Sequence, residues 1–115
     1  MRKVLPKMNE DYGEKIIVNN KEYSLDFNGY LINFNDWDRD FAIAIAKQEM
    51  VQDLSELDWE IIDFIRKYYD TYYRTYPLVN KLVKKFGANA VKKELFPLGP
   101  WKPGYKIAGL PGPLE

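Results

Sequence analysis

Polar and apolar positions in the 115-residue chain alternate in short period-two runs near the N-terminus and follow longer period-3.6 runs after it. Residues 1–14 mix charges with Pro6 and Gly13 without any period and read as a poorly anchored leader. Ile16-Ile17-Val18 and Glu22-Tyr23-Ser24-Leu25 flank Asn19-Asn20, a pair that tolerates the positive φ angles of a tight hairpin turn. The turn Asp26-Phe27-Asn28-Gly29 leads into a third short strand, Tyr30-Leu31-Ile32. A sheet this small needs helices to cover it.

The helical runs follow. Asn35 or Asp36 can cap a helix reaching about Met50, with Trp37, Phe41, Ala44 and Ile45 as its stripe. Ser55 stands three residues before Asp58, a capping box with Asp in place of the usual Glu, and opens a helix over 55–76. Pro77 breaks that helix and begins another over 77–86, which Gly87 ends. A short helix over about 88–96 stops at Pro97. Five of the seven prolines fall in the remaining stretch, which reads as an extended arm docked in part through Trp101, Tyr105, Ile107 and Leu110. The expected fold is α+β and mostly α. A small N-terminal β-hairpin packs on an orthogonal helical bundle, with a helix-turn-helix and a C-terminal arm. The expected division is leader 1–14, domain 15–96 and arm 97–115.

Composition removes whole classes of chemistry. The chain has no Cys and no His, which excludes disulfides, zinc sites built on thiolate or imidazole, cysteine nucleophiles and Ser-His-Asp triads. Neither a Gly-rich phosphate loop nor a nucleophile-elbow motif is present. Asp36, Asp38 and Asp40 alternate as in some calcium loops, but the Gly and Glu that complete such a loop are missing. The reading is a non-enzyme with no metal and no cofactor. The longest apolar run, 41–46, is too short to span a bilayer, and the charged N-terminus lacks a signal-peptide core, so a cytoplasmic protein without membrane contact is expected.

Zero net charge hides a division along the chain. Residues 36–63 carry nine acids against two bases, net −7, and residues 66–93 carry eight bases against one acid, net +7. Helix-dipole preference accounts for part of the long helix. Lys81, Lys84 and Lys85 on one helix, with Lys92 and Lys93 behind them, form either a solvated face or a phosphate-binding surface for DNA. Tyr68, Tyr72 and Tyr76, with Tyr69 and Tyr73 beside them, read as a core stripe with hydroxyls at its edge.

The C-terminal third carries a more specific signal. Leu95-Phe96-Pro97-x-Gly99-Pro100 and Lys106-Ile107-Ala108-Gly109-Leu110-Pro111-x-Pro113 resemble the C-terminal signature of the DsrC/TusE family. These are sulfur-relay proteins also described as the gamma subunit of dissimilatory sulfite reductase. Gly29-Tyr30-Leu31, Trp37, Leu54-Ser55 with Trp59-Glu60-Ile61-Ile62, and Pro77 with Leu82-Val83-Lys84 agree in order and spacing. The resemblance implies a small helical domain with a hairpin and a mobile arm. It also implies sulfur carried on a penultimate Cys, with a second Cys at the position of Tyr105 in sulfite-reducing members. The chain reaches Glu115 without either thiol, and Asn80 stands where relatives usually have Arg.

The resemblance to cysteine-free relatives implies a regulatory or partner-binding protein linked to sulfur metabolism. Its arm, through Trp101, Tyr105, Lys106, Ile107, Gly109, Leu110 and Pro111, is expected to meet a sulfite reductase or a sulfurtransferase-like protein. The alternatives are a DNA-binding regulator using the basic helix, or a sulfur-relay protein if the native chain extends beyond Glu115.

Overall fold

The computed structural model describes residues 13–51, 53–99 and 102–112; the expected leader lies almost wholly outside them. Strands β1 (Glu14–Val18) and β2 (Lys21–Leu25) pair antiparallel with Ile16 opposite Tyr23. Asn19 and Asn20 sit at φ 50° and 69°, the two positive angles that a two-residue hairpin turn requires. The third strand does not form. Asp26 Oδ1 accepts the amides of Asn28 and Tyr30, which folds 26–30 into a tight Asx turn. The chain that leaves it makes a single bridge, Leu31 to Leu25, before turning away.

The first helical segment is split. Asn33 caps a 3-10 turn, Phe34–Asp36, and Asp38 caps α1 (Arg39–Gln48) through its Oδ1, which accepts the Phe41 amide at 3.0 Å. The cap is therefore not Asn35 or Asp36, and Trp37 lies in extended backbone between the two elements rather than on the helix. The same Asp38 Oδ1 accepts the Tyr23 hydroxyl at 2.6 Å, so one carboxylate caps α1 and ties it to β2.

The capping box forms as expected at the start of α2 (Glu56–Thr71). Asp58 N–H donates to Ser55 Oγ and Ser55 N–H to Asp58 Oδ2. Its end comes earlier than expected. Tyr73 and Arg74 adopt φ 53° and 62°, which stops the helix and sends Tyr76 toward the C-terminal segment. The tyrosine row is consequently not a core stripe. Tyr69 is buried, but Tyr72 is 53% and Tyr73 96% exposed. Tyr68 and Tyr72 instead extend a ladder from Phe86 and Phe64 along the flank of the helix, with ring centroids 4.5 to 6.0 Å apart.

Helix α3 (Val79–Phe86) starts two residues after Pro77, and Gly87 ends it at φ 96°. No helix follows over 88–96. Those residues form turns, because Lys92 reaches back 2.9 Å to the buried Asp58 and draws the chain across the start of α2. Within the proline-rich stretch a helix does form: α4 (Pro103–Ile107), whose proline occupies a first-turn position where its missing N–H costs nothing. Tyr23 and Leu25 of β2, Phe41 and Ile45 of α1, Ile61 and Ile65 of α2, Leu82 of α3 and Ile107 of α4 meet in one core. The fold class is the one the sequence predicts, a two-stranded antiparallel sheet with helices around it. Among the described residues no helix is long and apolar enough to cross a membrane.

The end of α4 fits only because Gly109 has no side chain. A Cβ there would overlap the Trp37 ring, and the residue sits at φ 75°. Gly109→Ala is expected to cost roughly 2–4 kcal/mol from backbone strain plus overpacking, read as a lower urea midpoint at unchanged m-value.

Candidate functional site

The residues that carry the C-terminal signature lie mostly inside the fold. Tyr105, Lys106, Ile107, Gly109 and Leu110 are all buried, and Pro111 is half-buried. Trp101 lies outside the described residues. The segment from Pro103 to Pro111 is folded inward as part of the core. It is not held extended on the surface.

Side chains from four other parts of the chain hold it there, mostly through its backbone carbonyls. Trp37 Nε1–H donates to the Ile107 carbonyl at 2.9 Å, and Arg66 Nη1 to the Ala108 carbonyl at 3.0 Å. These are orphan carbonyls at the end of α4, where a helix of five residues has no partners of its own for them. Arg66 Nη2 donates to the Phe34 carbonyl at 3.0 Å, and its guanidinium lies 3.8 Å from the Phe34 ring and 4.5 Å from the Trp37 ring. Burial pulls the Arg66 pKa down to about 10, against the pull of Asp63 and Asp70, so the group stays a cation at neutral pH. Tyr76 donates its hydroxyl to the Pro111 carbonyl.

Two further bonds run outward from the segment. The Tyr105 hydroxyl donates to the Pro77 carbonyl at 2.6 Å, with the Tyr76 and Phe96 rings 4.9 and 5.3 Å from its own. The Lys106 ammonium pairs with Glu49 at 3.1 Å and lies over the Tyr30 ring. Opposite Tyr105, Gly104 lets its backbone rest on the Phe96 ring, which a Cβ would overlap.

The basic residues are only partly gathered. Lys81, Lys84 and Lys85 are exposed on α3, with Lys81 and Lys85 over the Tyr68 and Phe64 rings at 5.7 and 5.3 Å. Lys92 is engaged by Asp58, whose partnership raises its pKa, and Lys93 is exposed. Among the described residues no group of three or more acidic side chains is placed to hold a metal ion.

A model of the family described as DsrC-like protein matches residues 17–115. The chain belongs to the DsrC-like family. It is 39% identical over 108 residues to the sulfurtransferase TusE of Photorhabdus laumondii, covering 87% of this chain and 96% of that protein. A TusE homologue of Haemophilus influenzae is 39% identical over 106 residues, covering 85% of this chain and 95% of the other. The NMR structure of Allochromatium vinosum DsrC is similar with a TM-score of 0.69 at 38% identity, over 89% of this chain and 96% of that one. The crystal structure of the oxidized gamma subunit of dissimilatory sulfite reductase from Archaeoglobus fulgidus gives 0.70 at 30% identity, over 89% and 98%.

This DsrC-like chain therefore has the scaffold of the sulfur-relay family and contains no cysteine. Its structure adds Arg66, Glu49 and Tyr76, which sequence reasoning did not place at the site. One signal for Arg66 was available: it follows Ile62 by four and precedes Tyr69 by three, which sets a cation in line with the buried face of α2.

Tyr105 also makes the site pH-sensitive at the alkaline end. Burial raises its pKa to about 12, so above pH 10 the unfolded chain loses the phenolic proton while the folded chain keeps it. Stability is full below that point and falls as pH rises toward 12. Tyr105→Phe should lower stability at pH 7 by about 1–3 kcal/mol, since it leaves the Pro77 carbonyl without its donor. It should also flatten the alkaline loss by up to about 1.4 kcal/mol per pH unit in urea titrations between pH 9 and 12.

Proposed function

We propose that the chain is a non-catalytic, partner-binding member of the DsrC/TusE family, with a regulatory or assisting role in cytoplasmic sulfur metabolism. The observation that carries this reading is Tyr105. At the place where the resemblance puts the second thiol of sulfite-reducing members, the side chain is a phenol, 8% exposed and committed to the Pro77 carbonyl. A phenol forms no sulfur–sulfur bond, and no other residue of the chain does either. What supports a binding role is the retained scaffold and the retained C-terminal signature. The partner proposed is a sulfite reductase or a sulfurtransferase-like protein, the classes that its relatives' names carry.

The test has two arms. Incubated with a cysteine desulfurase and radiolabelled cysteine, the chain should take up no reductant-labile label. Titrated calorimetrically with the purified sulfite reductase and sulfurtransferases of its own cell, it should bind one of them. Labelling would overturn the non-carrier reading, and absence of any binding would overturn the partner reading. Deletion of the C-terminal segment is not a clean test, because Ile107 and Leu110 are fully buried and each stabilises the fold by about 1.5–3 kcal/mol.

One observation favours a second reading, contact with nucleic acid. Lys81, Lys84 and Lys85 are exposed on α3 and, among the described residues, pair with no carboxylate. Lys93 is exposed nearby in sequence, whereas Lys92 is tied to Asp58 and withdrawn from such a surface. Duplex DNA binding measured by anisotropy should fall steeply with salt and vanish in the K81E/K84E/K85E variant. Binding that is absent, or unchanged by the substitutions, leaves these lysines as a solvated face.

A further inference from the structure

The segment from Pro103 to Pro111 and the groups that hold it are related as a peptide is to its receptor. Trp37, Arg66 and Tyr76 donate to three backbone carbonyls of the segment, at Ile107, Ala108 and Pro111. Bonds to carbonyls are blind to side-chain identity, so they supply holding power and little selectivity. Selectivity comes from shape and charge. Gly109 and Gly104 are the residues that let the backbone lie against the Trp37 and Phe96 rings, Ile107 and Leu110 fill the core, and Lys106 meets Glu49. Together these features read a Gly-Tyr-Lys-Ile-Ala-Gly-Leu-Pro sequence.

Apart from the contacts of Gly104 with the Phe96 ring and the Leu95 carbonyl, these contacts do not depend on the chain being continuous nearby. The bonded residues are 28 to 70 positions apart. Covalent linkage runs through residues 97–102 alone, where Leu98 is 99% exposed and the Lys102 ammonium bonds the carbonyls of Pro97 and Gly99. Six residues extended span up to about 20 Å, enough to carry the segment out to a neighbouring molecule.

We infer that Trp37, Arg66, Tyr76, Glu49 and Phe96 form a peptide-binding site, occupied here by the chain's own C-terminal segment, that takes the same segment from a second copy of the chain. Exchange remakes the bonds of Trp37, Arg66, Tyr76, Tyr105 and Glu49 in each half of the dimer and gives up only those of Lys102 within the linker, which is why such swaps cost little beyond association. At low concentration the tethered segment wins, because its effective concentration is in the millimolar range. Crowded or concentrated chains trade segments. This inference stands apart from the partner reading, since it needs only the chain itself.

The absence of cysteine makes the test clean. A Cβ built at Gly112 lies 3.7 Å from the Tyr30 Cβ, within the span of a disulfide. The Y30C/G112C double variant should close within one molecule on oxidation, which reports docking. For exchange, Y30C chains and G112C chains are mixed at about millimolar concentration, the tethered segment's own range, warmed, then oxidised. The expected product is a covalent dimer of one of each, in clear excess over a mixture of G112C with M50C, whose cysteine stands on an 87% exposed position.

A yield no greater than the M50C control would overturn the proposal. Should Tyr30→Cys fail to fold, the unmodified chain decides the matter: concentrated and then diluted onto a sizing column, it should show a slowly decaying dimer. A monomer at every concentration would overturn it as well.

Discussion

One guanidinium joins three parts of the molecule that the chain itself does not connect. Arg66 projects from α2, and its two terminal nitrogens reach the carbonyls of Phe34 in the 3-10 turn and Ala108 at the end of α4. Withdrawing a cation part-way from water is costly even with the acids Asp63 and Asp70 in range. Here two carbonyl dipoles and the faces of Phe34 and Trp37 offset that cost, with the negative end of α4 adding to it. A lysine could not replace it: a single ammonium lacks the flat fork that serves two acceptors while stacking between rings. The position of Trp37 depends on the same arrangement, and with it the requirement for glycine at 109.

Tyr105 holds its place through size and a hydrogen bond together. A cysteine side chain at position 105 would be far smaller than the phenol found there, and could not reach the Pro77 carbonyl 2.6 Å from the hydroxyl oxygen. Tyr105 fills the space between the Tyr76 and Phe96 rings and satisfies a carbonyl that would otherwise be buried unpaired. The residue serves packing and hydrogen bonding alike. Its neighbours have taken complementary roles, for Tyr76 both packs on it and holds the next stretch of chain at Pro111.

What the sequence revealed and what it hid follow from how local each cause is. The hairpin was legible because Asn19-Asn20 can adopt its turn unaided, and the start of α2 because Ser55 and Asp58 cap it within four residues. The early end of α2 was not, since Tyr72 and Tyr73 are tolerable helix residues and only the distant contacts of Tyr76 draw the chain aside. Helix α4 was hidden for the opposite reason. Proline and glycine argue against a helix locally, yet the orphan carbonyls of this short one are capped by Trp37 and Arg66 from far along the chain. The site's recognised half was a contiguous motif, and its unrecognised half was scattered over Glu49, Arg66 and Tyr76.

The division of charge along the sequence takes on a different meaning in space. Asp58 belongs to the acidic stretch and Lys92 to the basic one, and their pairing brings the turns after α3 back across the start of α2. Glu49 pairs with Lys106 and Asp38 with Lys21, so acids of the same stretch also fasten the C-terminal segment and the hairpin. Three of the nine acids in 36–63 are thus cross-links, each to a different part of the chain. The Lys106–Glu49 pair and the Asp58 side of its pair are largely buried, so breaking either strands a charge, whereas the exposed Lys21–Asp38 pair adds little. Of the three, only the Asp58–Lys92 pair joins the acidic stretch to the basic one, since Lys21 and Lys106 lie outside residues 66–93, so most of the segregated charge faces solvent and a minority of it fixes how the hairpin, the turns after α3 and α4 sit around α1 and α2.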